Sequence, residues 1–303
     1  MMKKIFKIAI ILLFIGQGNV FAHDGTKAEK ITAPVNIRGA LGTYGNPPRL
    51  ENGRVAMHRL LSELKDIHAN TYHWLIYKNA FDWDDLKIFL PLARRANIKV
   101  WVTIVPPTES KPIAKDSSEP FCMDYERWAT EFATLSLAEP NLVAWSIDDF
   151  VHNLKFYTPE YVIKLTGITN GINPKLSFVP CCYFSQVTPL FVKNYGHLLD
   201  GILFPYRAES TGKNLQDATQ VENEVAKLRE MFNNPDFPIF LDIYASAHSS
   251  LGASTPEYLK DVLTAGRKSA DGVLIYCHQD PVKASGKYQI IKEGFRRKHR
   301  TIK

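Results

Sequence analysis

The chain has 303 residues, of which 45% are hydrophobic and 22% charged, and Lys and Arg exceed Asp and Glu by six. That balance fits a well-cored globular protein and excludes a disordered or collagen-like one. The basic residues are scattered, apart from Arg296-Arg-Lys-His-Arg300, so there is no aromatic-laced basic patch to suggest nucleic acid; the tail run reads as a solvated helix end.

The first 22 residues read as an address. Lys3, Lys4 and Lys7 precede an apolar run from Ile8 to Ile15, and Val20-Phe-Ala22 offers small residues at cleavage spacing before His23. The expectation is export to the periplasm or beyond, with cleavage after Ala22 and a mature domain over 23–303. The apolar run is too short to span a bilayer and no Cys follows it to take a lipid, so stable membrane insertion is not expected. Without those three lysines the formal charge falls from +6 to +3. The four cysteines, Cys122, Cys181, Cys182 and Cys277, match neither a disulfide framework nor zinc-ligand spacing and read as small buried hydrophobes. Sequence gives no oligomeric state.

About 280 residues remain, with no linker among them. Strand-like apolar runs fall at 35–41, 69–77, 99–105, 142–148, 176–184, 200–206, 238–244 and 272–277. Amphipathic stretches follow each in turn, at 53–67, 84–96, 125–138, 159–171, 189–199, 218–232, 256–266 and 287–298. Thr158-Pro, Thr188-Pro and Thr255-Pro each place a capping hydroxyl ahead of Pro at a first helical position. Strict alternation predicts a parallel sheet with crossover helices, and eight repeats predict closure into a single (β/α)8 TIM barrel, α/β in class. An open doubly wound sheet is the alternative, but no Gly-rich phosphate turn follows the first strand.

Alternation along each strand then selects the inward side chains. In the fourth run Ala144, Ser146 and Asp148 face in, and the run ends in Asp148-Asp149, where barrel catalysts sit. Asp149 has the opposite parity, but a turn can swing it over the mouth. The same reasoning places Asp242 and Tyr244 inward on the seventh run. It places Arg38, His73, Tyr77, Trp101, Tyr206, Tyr276 and His278 inside or at the rim as candidate substrate contacts. Trp74 and Trp145 read as helix-facing core.

Two carboxylates flanking a glycosidic bond are what sugar hydrolysis needs, one as acid and one to stabilise or attack the anomeric centre. Aromatic faces suit sugar rings. The competing reading makes Asp148 a turn cap and Asp149 a solvated acid. Asp242 has its own alternative as a buried partner of Arg38 or His73. Loops at 106–120 and 207–216 follow strands and can wall a groove, which makes Glu109 and Glu209 reserve acids.

An Asp-Asp after the fourth strand resembles the O-GlcNAc hydrolases and related β-N-acetylhexosaminidases. The resemblance implies that Asp148 orients the substrate's acetamido group as internal nucleophile while Asp149 is the general acid. A broader resemblance, to secreted glycoside-hydrolase barrels with acids after strands four and seven, implies Asp149 as acid and Asp242 as nucleophile or base. That pattern normally uses Glu. No cofactor is expected and the partner is a carbohydrate. Two rivals remain: a non-catalytic glycan-binding barrel, and a metal-dependent hydrolase or deacetylase built on His73, Asp148, Asp242 and His278, though none of these shows a local ligand motif.

Overall fold

The computed structural model describes residues 35–248 and 251–296; the predicted leader and the end of the basic tail lie outside the described residues. Strands β1 (Ala40–Tyr44), β2 (Thr71–Ile76), β3 (Lys99–Ile104), β4 (Leu142–Ile147), β5 (Ser177–Phe178), β6 (Ile202–Pro205), β7 (Ile239–Tyr244) and β8 (Gly272–Tyr276) form one parallel sheet. They alternate with helices α1 (Met57–Asp66), α2 (Asp82–Arg95), α3 (Tyr125–Ala138), α4 (Pro159–Ile172), α5 (Pro189–Tyr195), α6 (Val221–Met231), α7 (Pro256–Ser269) and α8 (Ser285–Arg296). The sheet runs β5-β4-β3-β2-β1-β8-β7-β6. A parallel bridge between Cys181 and Leu203 joins its two ends: Cys182 N–H donates to the Leu203 carbonyl (2.8 Å) and Leu203 N–H to the Pro180 carbonyl (3.0 Å). The fold is a single (β/α)8 barrel.

Local chemistry accounts for the element boundaries. The hydroxyls of Thr158, Thr188 and Thr255 accept from the N–H groups of Tyr161, Phe191 and Tyr258, with Pro next in line at the first helical position. β5 is far shorter than its apolar run, because Pro180 has no N–H to give to a ladder. β1 begins five residues later than the run at 35–41 suggests. Its small residues matter: a Cβ on Gly42 would lie 1.8 Å from the Thr71 carbonyl oxygen on β2, so only glycine permits this strand pairing.

Two apolar layers follow from strand alternation. Trp74, Trp145, Phe89, Trp128 and Phe132 fill the space between sheet and helices, and the Trp74 indole donates to the Asp82 carbonyl at 3.1 Å. Ile37, Ala40, Trp101, Leu203, Phe240 and Leu274 fill the barrel interior, where Trp101 meets Phe240 edge to face at 4.7 Å. Each such large side chain contributes on the order of 1.5–3 kcal/mol by leaving water. No helix of the described residues is long and apolar enough to cross a membrane.

Candidate active site

A cavity of about 640 Å³ opens at the C-terminal ends of the strands. Asp148, Asp149, Asp242, Tyr77, Tyr244 and Tyr276 all line it. Alternation explains most of this. Asp242 pairs in register with Pro205, and Tyr276 with both Tyr44 and Tyr244, so these side chains share the inner face.

β4 delivers the acid pair through a break in its backbone. Asp148 N–H still donates to the Ile104 carbonyl at 2.9 Å, continuing the ladder with β3. Asp149 then adopts φ 43°, which swings it to the same side as Asp148 against its strand parity. Asn46, Lys78 and Cys277 take positive φ as well, and all three line the cavity. Non-glycine residues held in this region cost on the order of 1–3 kcal/mol each and cluster where a site is being shaped.

The two carboxyls sit in different environments. Burial pushes Asp148 up from 3.8 to about 7, and the charges of Asp149 and Glu109 push the same way. Burial also acts to raise Asp149, but its hydrogen bonds outweigh that and hold it below the ordinary carboxylate value. The Tyr183 hydroxyl donates to Asp149 Oδ1 at 2.6 Å, and His152 Nδ1 lies 3.4 Å from Oδ2. Asp149 N–H in turn donates to Asp148 Oδ1 at 3.1 Å. In mildly acid solution, up to about neutrality, the pair thus favours a proton on Asp148 and a negative charge on Asp149. Asp242 is only 2% exposed, its Oδ1 has no partner among the described residues, and burial followed by the nearby Asp148 raises its carboxyl well above the usual range.

Four predicted contacts are corrected. Arg38 lies in the turn before β1, at the opposite end of the barrel, where it pairs with Asp271 and donates to the Asp236 carbonyl; reading β1 too early placed it wrongly. Trp101 is fully buried in the interior layer and does not reach the cavity. Tyr206 faces outward and donates to the Asp217 carbonyl at 2.7 Å, because the register of Leu203 with Phe240 and Pro205 with Asp242 turns Leu203, Pro205 and Arg207 inward. His278 would face in by parity, but Cys277 at φ 63° ends the alternation. Its imidazole instead lies 2.9 Å from both Thr43 Oγ1 and Glu63 Oε2, on the α1 side.

His73 does face inward, but it is fully buried beneath the cavity, stacked on Tyr44 at 4.2 Å, and burial lowers it to about 3. Both of its ring nitrogens lack partners among the described residues, and Arg38 pairs elsewhere, so neither is the buried partner considered for Asp242. The predicted four-residue metal set therefore does not converge. Asp148, Asp149 and Cys181 do place one donor atom each within 4.8 Å of the others. Burial and the two carboxylates raise the Cys181 thiol well above its ordinary value, which keeps it in the form that binds metals poorly. All four cysteines are free.

The site also holds residues that strand parity alone did not supply. Tyr183 carries the His152 ring (centroids 4.7 Å) and the Arg207 guanidinium (3.9 Å) on its aromatic surface. Glu109, from the long loop after β3, lines the cavity, and burial with the Asp149 charge raises its carboxyl. Glu209 is instead a structural acid, bound to Arg207 Nε at 2.9 Å and to the Ser185 N–H at 2.8 Å.

Comparison with known proteins adds an architectural likeness. No protein-family model matches the chain, and no curated protein matches it. Among solved structures, a GH2 β-galacturonidase from Eisenbergiella tayi is 18% identical with a TM-score of 0.56, over 86% of this chain and 51% of that one. The chain thus spans about half the length of that enzyme. A GH18 chitinase from Pseudoalteromonas aurantia is 11% identical with a TM-score of 0.56, over 84% of this chain and 100% of that one. The catalytic domain of Thermobifida fusca endoglucanase Cel5A is 12% identical with a TM-score of 0.57, over 85% and 91%. At these identities the likeness establishes the barrel.

Proposed function

We propose that this protein is an exported glycoside hydrolase that cleaves O-glycosidic bonds of a glycan by carboxylate acid catalysis. The observation that carries the reading is the divided acid pair at the end of β4, Asp148 protonated near neutrality and Asp149 ionised, in a tyrosine-lined cavity. Glycosidic cleavage asks for such a division, because the leaving oxygen needs a proton while the anomeric centre develops positive charge. Asp148 is the donor and Asp149 the stabilising carboxylate. This reverses the roles implied by resemblance to the O-GlcNAc hydrolases, since the Tyr183 and His152 contacts favour charge on Asp149. Burial and Asp148 push the Asp242 carboxyl towards its neutral, less nucleophilic form, which favours attack by water or by a substituent of the sugar itself. Barrel neighbours that are themselves a galacturonidase, a chitinase and an endoglucanase fit the same class of chemistry. The leader pattern of residues 1–22 supports work outside the cytoplasm.

Two variants test this. Asp148→Asn should slow turnover of glycosides with poor leaving groups by roughly 10²-fold or more, as expected for loss of a general acid, and spare an activated aryl glycoside. Asp149→Asn should slow both. Equal loss on both substrates for Asp148→Asn would sink the assignment, and glycan binding with no turnover in the parent protein would favour a binding barrel.

A further inference from the structure

Arg207 is the one charged side chain on the inner face of β6's extension, and it is built into place rather than left free to move. Its guanidinium lies 3.9 Å over the Tyr183 ring, and its Nε and Nη2 both engage Glu209 Oε1. Glu209 is in turn fixed by the Ser185 N–H at 2.8 Å, so both partners of the pair are anchored from behind. The residue is 9% exposed yet lines the cavity. Its third nitrogen, Nη1, has no acceptor among the described residues and is not among their buried unpartnered atoms, so it is a donor open to a ligand.

Tyr183, which carries the guanidinium on its face, donates its hydroxyl to Asp149 at 2.6 Å. Arg207, Tyr183 and Asp149 are therefore one contiguous unit, and the Arg207 charge helps to hold the Asp149 carboxyl low. Arg49, another lining cation, pairs with Asp82 at 2.6 Å and the Gly53 carbonyl at 2.9 Å, and these partners belong to α2 and the loop after β1, not to the unit that holds Asp149. Burial and Arg207 push His248 towards its neutral form, against the pull of Asp149.

We propose that the sugar seated beside Asp149 is an acidic one, whose carboxylate is received by Arg207. This rests on the glycan reading for the ligand being a sugar, and goes beyond it in naming the class. Arginine suits the task because its planar, always-charged fork binds carboxylate oxygens with defined geometry, and two of its nitrogens are already immobilised by Glu209. A neutral sugar would leave Nη1 without its anionic partner.

The experiment reads binding and needs no turnover. Galacturonate and glucuronate, with galactose, glucose and glucose 6-sulfate for comparison, are titrated against the full chain by NMR or calorimetry. The parent protein should bind a uronate about 10-fold or more tightly than its neutral counterpart, about 1.4 kcal/mol. Arg207→Gln should erase the ratio, while the exposed-site control Lys175→Met keeps it. Arg207→Lys retains a charge for Glu209 and guards against misfolding; it should lower the ratio. Neutral and acidic sugars bound equally by the parent protein would overturn the proposal and leave the glycan reading intact. No sugar bound at all would overturn both, and tighter binding of the sulfate than of either uronate would overturn the carboxylate assignment.

Discussion

Replacing Asp148 by Asn should make the protein more stable at alkaline pH and leave it nearly unchanged in acid. The asparagine matches the shape of a protonated Asp and keeps an oxygen for the Asp149 N–H, which Asp148 Oδ1 accepts at 3.1 Å. The folded carboxyl titrates near 7 against an ordinary 3.8, so between those values the folded state holds a proton that the unfolded chain has released. Stability of the parent protein therefore falls as pH rises through that window, and the loss is complete above about 7. Three pH units at about 1.36 kcal/mol each set a ceiling of about 4 kcal/mol. Asp148 opens partly onto the cavity, where solvent screens its charge, so the expected gain for the variant is about 1–2 kcal/mol at about pH 9. For a domain of this size that is a rise in Tm of about 2–8 °C. Thermal unfolding of both proteins at about pH 5 and about pH 9 checks it. A constant difference between the two proteins across that range would refute the claim that Asp148 is held protonated by its surroundings.

Two further outcomes separate structure from chemistry. His278→Ala should destabilise the fold by about 1–3 kcal/mol, because it strips a buried partner from Glu63, and should leave kcat of the folded protein within about 3-fold, as measured by urea unfolding beside initial rates. A large loss of kcat without loss of stability would return His278 to the site. Protein exported by its host should lack the first 22 residues by mass, and an intact Met1 in the exported fraction would contradict the leader reading.

The barrel was legible because its central strands are continuous apolar runs. β3 and β4 and the helix α3 fall where the pattern places them, and so does the acid pair. β1 was harder to read. The closeness of its approach to β2 requires Gly42, so the true strand looks weaker than the apolar stretch before it, and Arg38 was carried to the wrong end of the barrel. Tyr206 and Arg207 differ by one position, and a slip of one flips every side chain, so only the pairing of β6 with β7 shows that the arginine is the inward residue. His278 turns on a single positive φ at Cys277, for which sequence carries no signal. The charge states of Asp148 and Asp149 depend on Tyr183, His152 and Glu109, which arrive from three separate loops.

The most direct test of the account is the pH dependence of kcat/KM, from about pH 4 to about pH 9, on a glycoside with a poor leaving group, for the parent protein and Asp148→Asn. The rate should hold through mildly acidic pH, where Asp149 stays ionised, and fall as Asp148 loses its proton near 7, with that alkaline fall absent from the variant's residual activity. A rate that climbs through neutrality, or an alkaline fall that persists in Asp148→Asn, would contradict it.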